Sequence, residues 1–390
     1  MNLRAYMMEL FPKTVNYKLA RHNLLKPVNP ITFTFAVTYK CQSRCKTCNI
    51  WTIYRRDPQK RKDELTIQEI EQIFKSLGHV YFFNVSGGEP FLRKDLSEVI
   101  SLAIEYLTPN IIHIPTNALK PEVIEREVEK MLIHMDQIKY KVPFSVKPSM
   151  DGIGEEHDRI RGVKGNFDKL LDTVERLKAL QKAFPFFHIE LGTVISNENI
   201  DKIDEISQFA HSLGVESYRN EIAEQRSEFL NIGDPITPNA KEYIETIKIF
   251  SSRIRENLDG KRQLTKVTES LRLVYYDIAI RVLKENRQVI PCYAGISNVQ
   301  MNPYGDIWPC CVLGYDQSMG NVRDYGYDFQ KVFHSTKAAE VRSYIKNGNC
   351  ACPLANQAYS NILCHFPSMV KFGKNILLSI KKRENKNLSS

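Results

Sequence analysis

What the chain lacks narrows its class first. No apolar run reaches the roughly 20 residues of a membrane span, and no signal peptide precedes the first cysteines. No repeat of fixed period recurs. No basic patch interleaved with aromatics and no reading helix is present, so the net charge of +9 permits acidic partners without pointing to specific nucleic acid. Without an export signal, the nine cysteines belong in a reducing cytoplasm, where they read as metal ligands and spare thiols. What is present, 390 residues of which 43% are hydrophobic, suffices for one large domain with an appendage.

Residues 1–30 mix Lys13, Lys18 and Arg21 with Leu10, Phe11, Tyr17 and Leu19. They predict a helical extension packed on the domain that follows; a basic helix lying peripherally on a membrane is the less favoured reading. From residue 31 to 225 strands and helices alternate. Strand patterns cover 31–38, 80–85, 111–115, 144–150, 188–194 and 215–223. Thr66 and Glu69 form a capping box ahead of the helical face Ile67, Ile70, Ile73, Phe74 and Leu77. Six alternations predict an α/β fold: a parallel, partial (βα)6 TIM-like barrel, short of the closed eight-stranded form. Its function is expected at the carboxyl ends of the strands. Residues 226–290, punctuated by Pro235 and Pro238, predict a helical bridge. Residues 291–370 form a small Cys-rich module, and 371–390 a basic tail.

The first strand pattern runs into Cys41-Gln-Ser-Arg-Cys45-Lys-Thr-Cys48. This CxxxCxxC loop offers three thiolates where structural zinc wants four ligands. No fourth ligand lies nearby, since His22 is upstream and His79 belongs to a helix–strand junction. A four-iron cluster held by three cysteines keeps one iron open, a catalytic arrangement; zinc is the alternative. At the end of the second strand stands Ser86-Gly87-Gly88-Glu89-Pro90. The two glycines let backbone approach a ligand, Glu89 can pair with an ammonium, and Pro90 fixes the exit of the turn.

Together these two motifs resemble the radical S-adenosylmethionine (SAM) superfamily, over about residues 31–225. The resemblance implies that Cys41, Cys45 and Cys48 hold a 4Fe–4S cluster whose open iron chelates SAM. Gly87, Gly88, Glu89 and Pro90 would contact SAM beside it. Reductive cleavage would then yield a 5′-deoxyadenosyl radical that abstracts hydrogen from substrate. One departure is Thr47, at a position often aromatic in the family. Asn117, Ser149 and Asp151, at the third and fourth strand ends, look like the family's ribose and methionyl contacts. The stretch 156–162 (Glu-His-Asp-Arg-Ile-Arg-Gly) resembles one common in the subgroup with extra clusters; a charged surface loop is the plain reading. At the sixth strand end, Arg219 and Arg226 can hold a carboxylate, and Glu221 or Glu224 can accept a substrate proton. A strand-end salt-bridge network is the alternative.

Six cysteines remain: Cys292, Cys310, Cys311, Cys350, Cys352 and Cys364. This region resembles the SPASM/twitch extension of radical SAM enzymes. Two full clusters need more thiolates than six, so one auxiliary 4Fe–4S cluster is expected, on Cys292, Cys310, Cys350 and Cys352. Cys350 and Cys352 are closer than the family's usual CxxC, so Cys364 can replace one of them, and Cys311 reads as a spare buried thiol. A zinc ribbon on the same thiolates is the alternative.

The resulting expectation is an oxidoreductase-type radical SAM enzyme that oxidises, crosslinks or epimerises a peptide or protein. It would draw electrons from a donor such as flavodoxin or ferredoxin. Only forty residues precede Cys41, so a separate peptide-recognition protein is expected. The runner-up substrate is a small molecule such as an aminocyclitol, a sugar or a lipid head group. A metal-binding nucleic-acid binder is the reading outside enzymes.

Overall fold

The computed structural model describes residues 3–257 and 263–376. Most of the predicted basic tail lies outside the described residues, as do residues 258–262 of the predicted bridge. Six strands follow the predicted pattern: β1 (Thr32–Thr38), β2 (Phe82–Gly87), β3 (Ile111–Thr116), β4 (Phe144–Pro148), β5 (Phe187–Ile195) and β6 (Ser217–Ile222). All five pairings among them are parallel. Helices Ile67–Leu77, Leu96–Leu102, Pro121–Gln137, Asn166–Ala183 and Ile203–Ser212 provide the crossovers. The capping box forms as read: the Thr66 hydroxyl accepts from the Glu69 N–H, and the Glu69 carboxylate accepts from the Thr66 N–H.

Three further strands, β7 (Asn298–Met301), β8 (Asp306–Trp308) and β9 (Gly320–Asn321), extend the sheet beyond β1. The order is β6-β5-β4-β3-β2-β1-β7-β8-β9, with β7 parallel to β1 and the last two pairings antiparallel. The described residues form two compact units. One comprises residues 27–237 and 294–342; the other comprises the described parts of 1–26, 238–293 and 343–390.

In the first unit, alternation along each strand divides the sheet into two unlike faces. One is apolar and packs on helices. Phe74 of Ile67–Leu77 meets Phe33, Phe35 and Phe83 edge-on, with ring centroids 6.1, 6.1 and 5.7 Å apart. All four rings are fully buried, each worth about 1.5–3 kcal/mol in transfer free energy. The opposite face carries Thr34, Asn84, His113, Lys147, Glu190, Arg219 and Gln300. Parallel sheets covered on both sides read as near-continuous apolar runs. This sheet does not, because its second face sets these polar groups among the apolar Ala36, Phe82, Ile111 and Pro115.

The second unit is helical, with Leu3–Arg21, Ala240–Asn257, Gln263–Glu285 and Ala355–Cys364. Leu10, Tyr17 and Ala20 of the first helix are buried, and the Tyr275 hydroxyl donates to Pro353 O at 3.0 Å. Among the described residues no helix is long and apolar enough to cross a membrane.

Candidate active site

The cysteine loop leaves the carboxyl end of β1 and is gripped from two sides by backbone. On one side Arg44 N–H donates to Arg161 O at 3.0 Å and Lys46 N–H to Ile160 O at 2.9 Å. On the other, Asn49 N–H donates to Phe229 O at 2.8 Å, and the buried Asn231 amide donates to Thr47 O at 2.8 Å. The stretch 156–162 is therefore no charged surface loop. It forms the helix Glu155–Arg161, with His157, Ile160 and Arg161 buried, and its carbonyls clamp the loop. Gly162 closes it in the left-handed region, φ 68°; a Cβ there would lie 2.3 Å from Arg44 O.

Cys41, Cys45 and Cys48 are each half-buried and unpaired as disulfides. Burial, then the neighbouring Cys45 and Glu89, push the Cys41 thiol up to about 12. Burial and then Cys45 and other neighbours raise Cys48; burial raises Cys45 while Arg161 opposes the shift. The three sulfurs thus sit close enough to repel one another as thiolates, a cost that a cationic centre removes. Asn117, at the end of β3, directs its amide Nδ2 to Cys41 Sγ at 3.7 Å and to Gln42 Oε1 at 3.2 Å. Such donors tune a metal-bound sulfur.

The glycine turn after β2 holds the loop's root. Gly88 N–H donates to Thr38 O and Glu89 N–H to Lys40 O, both at 2.8 Å. A Cβ on Gly87 would lie 2.2 Å from Thr38 O, and one on Gly88 2.4 Å from Lys40 O. The close approach these glycines permit is thus to the cysteine strand's own backbone. Glu89 is buried, and its carboxylate accepts from Asn117 N–H at 2.6 Å and the Thr116 hydroxyl at 2.9 Å. Burial pushes it up to about 7 against these donors. It joins the ends of β2 and β3, and Pro90 opens the short helical turn Pro90–Leu92.

After β4, Ser149 N–H donates to Thr116 O at 2.9 Å, and Ser149 is half-buried. Asp151 is buried; Oδ2 accepts from Arg161 Nη1 and Oδ1 from Val194 N–H, both at 2.9 Å. His157 Nδ1 accepts from Asp151 N–H at 3.2 Å. Asp151 therefore ties β4 and β5 to the clamp helix. At β6, Arg219 Nη2 donates to Glu190 Oε1 of β5 at 2.7 Å, the salt-bridge alternative read from the sequence. Glu221 is half-buried on the same face. Arg226 stacks on the Phe229 ring, 4.6 Å from its centroid. Glu228 is buried and accepts from Gln300 at 2.7 Å; burial pushes it up to about 7.

Two functional features escaped sequence reading. One is the clamp helix as a holder of the cysteine loop. The other is a polar chain across the sheet: Asn84 Nδ2 donates to Thr34 Oγ1 at 3.2 Å and Asn84 Oδ1 meets His113 Nδ1 at 2.7 Å. Its signal was a polar residue in the middle of three successive strands, Thr34, Asn84 and His113.

Of the remaining cysteines, Cys292, Cys350, Cys352 and Cys364 belong to the helical unit and Cys310 and Cys311 to the sheet unit. Cys350 is raised to about 11 by burial and then by Cys292, and Gln288 Nε2 donates to its Sγ at 3.6 Å. Burial raises Cys364 to about 12 at the end of its helix. Among the described residues no three His, Cys, Asp or Glu side chains converge on a single ion. Structural zinc takes four ligands, whereas three thiolates leave one iron of a 4Fe–4S cluster open. The donor set of the first loop fits a 4Fe–4S cluster.

Comparison with known proteins agrees. Residues 35–210 match the family model of the radical SAM superfamily, and residues 292–353 match that of the SPASM iron–sulfur cluster-binding domain. The chain carries a domain of the radical SAM superfamily over residues 35–210 and is an enzyme. Within it, the SPASM match identifies the group that carries an auxiliary iron–sulfur cluster. The chain is 25% identical to the mycofactocin maturase MftC of Mycolicibacterium smegmatis over 327 residues, 83% of this chain and 75% of the relative. It is 21% identical to the subtilosin biosynthesis protein AlbA of Bacillus subtilis over 78% of this chain and 60% of the relative. Its fold resembles Streptococcus suis SuiB bound to the precursor peptide SuiA, with TM-score 0.58, 15% identity, 88% of this chain and 73% of that one covered.

Proposed function

We propose that this enzyme matures a ribosomally made peptide by oxidation, crosslinking or epimerisation, with SAM as co-substrate. The observation that carries this is the pairing of the clamped cysteine loop with a polar sheet face, beside one relative named as a mycofactocin maturase and one named for subtilosin biosynthesis. Bound cluster and SAM supply a 5′-deoxyadenosyl radical that takes hydrogen from an unactivated C–H. The chain's own residues do the rest. Cys41, Cys45 and Cys48 hold the cluster; Gly87–Pro90 root the loop and face SAM with Asn117, Ser149 and Asp151. Arg219 orients substrate through its pair with Glu190, and Glu221 is placed to take a substrate proton. The expected auxiliary set is Cys292, Cys310, Cys350 and Cys352, within a module over 291–370; the barrel spans 31–225 and the bridge 226–290. Flavodoxin or ferredoxin supplies the electron, and a separate protein delivers the peptide.

The test is anaerobic reconstitution with iron and sulfide, followed by dithionite, SAM and a candidate precursor peptide from any short reading frame found beside the gene. About eight irons per chain, deoxyadenosine formation lost in Cys45→Ala, and a mass change in the peptide support the reading. Deoxyadenosine without any peptide change refutes the substrate class, and its absence refutes the chemistry.

A further inference from the structure

The polar sheet face holds one cation that the protein itself leaves unbalanced. Lys147 of β4 is half-buried, and its stem lies along Gly192 of β5: a Cβ there would lie 2.9 Å from Lys147 Cδ and 3.2 Å from Cε. Glycine is what makes room for this lysine. The register neighbour of Gly192 on β6 is Arg219, so two cations flank the glycine. Burial and then these two cations hold His113 well below the usual histidine range, so it adds no charge. The carboxylate that answers them is Glu190, whose Oε1 is taken by Arg219; Glu221, further along β6 on the same face, forms no ion pair with either. Among the described residues Lys147 makes no ion pair and no hydrogen bond within the protein.

Two further polar atoms on this face are orphaned. Glu190 is 8% exposed and its Oε2 has no partner, nor has Arg219 Nε. A buried unsatisfied polar atom costs about 1–3 kcal/mol, so a site carrying two of them, next to an unpaired ammonium, is built for a ligand. The ligand must bring an anion to Lys147 and Arg219 Nε and a donor to Glu190 Oε2.

We propose that Lys147, with Arg219 and Glu190, binds a carboxylate of the peptide substrate, the Glu190 oxygen taking the N–H beside it. This rests on the peptide reading above and names the part of the peptide that the sheet face recognises. The carboxylate belongs either to an acidic side chain or to the C-terminus. A phosphate is disfavoured, because its second charge would face Glu190. The sequence pointed to Arg219 and Arg226 as carboxylate holders; the geometry keeps Arg219 and adds the free cation on β4.

The experiment uses reconstituted holoenzyme with SAM and three nearly isosteric probes. N-acetylglutamate α-amide carries only a side-chain carboxylate, N-acetylglutamine only a terminal one, and N-acetylglutamine α-amide neither. Affinities are measured by saturation-transfer NMR titration, which needs no turnover and so stands or falls separately from catalysis. One carboxylate probe is expected to bind about tenfold or more tighter than the diamide, the size of one charge-assisted hydrogen bond. Lys147→Met removes the preference and Lys147→Arg restores much of it. Gly192→Ala, which crowds the lysine stem, weakens it. The winning probe identifies the source of the carboxylate. Equal binding of all three probes, no binding of any, or a preference that survives Lys147→Met overturns the proposal. So does loss of the SAM-induced EPR change in Lys147→Met, which would assign the lysine to SAM.

Discussion

Gly162 and Gly165 make a matched pair that isolates the clamp on the cysteine loop. Both adopt left-handed backbone, φ 68° and ψ 25° against φ 74° and ψ 14°. Alanine at either costs about 1–2 kcal/mol of backbone strain. Their surroundings differ. A Cβ at Gly165 meets nothing within 4 Å, whereas at Gly162 it falls 2.3 Å from Arg44 O and 2.9 Å from Arg44 C. Ordinary contact starts at 3.4 Å, so Arg44 must retreat by about 1 Å, and it lies between Cys41 and Cys45. Misplacement of that size costs on the order of 100-fold in catalysis. Both variants should therefore lose stability in thermal unfolding of the cluster-free chain, Gly162→Ala by more, since it must also displace the Arg44 backbone. Only Gly162→Ala should fall toward about four irons after reconstitution and lose deoxyadenosine formation. Full iron and activity in Gly162→Ala, or equal iron loss in Gly165→Ala, would refute the clamp.

Arg161→Met leaves Asp151 buried and unpaired and should destabilise the fold by about 3–5 kcal/mol, read by urea unfolding; a loss below about 1 kcal/mol contradicts the network. Asn117→Leu removes the donor to Cys41 Sγ and should lower the midpoint potential of the SAM-binding cluster in EPR-monitored titration, with an unchanged value counting against that contact. Glu228 is raised from 4.5 to about 7 by burial, so the native state holds its proton more tightly than the unfolded chain does. That contribution is complete below the unfolded pKa and is lost as pH rises through about 7. Wild-type cluster-free protein should thus lose about 3 kcal/mol more than Glu228→Gln across this window, and parallel pH profiles would exclude it.

The barrel strands and their order were legible because each pairs a local pattern with a neighbour in sequence. Thr66 and Glu69 cap their helix through contacts three residues apart, which a sequence displays directly. The strands β7, β8 and β9 were not legible: they are 4, 3 and 2 residues long, and β7 is placed by a partner, β1, more than 250 residues away. The clamp helix was hidden by composition, since Glu155, Glu156, Asp158 and Arg159 mask the buried His157, Ile160 and Arg161. The glycines after β2 were visible as a site for close approach, but sequence did not show that Thr38 and Lys40 make that approach.

The two-faced sheet links these cases. Its helix-covered face supplies the burial that holds the unit together, through Phe33, Phe35, Phe74 and Phe83. The other face forgoes that term and must satisfy its polar groups one by one. It does so where the chain needs only rigidity, as in the Thr34–Asn84–His113 chain and the Asp151–Arg161 pair. It fails to do so at Lys147, Glu190 Oε2 and Arg219 Nε. If those groups served stability alone, apolar replacements would do better. Buried polar atoms without partners, beside a free ammonium, are the physical reason to place substrate there.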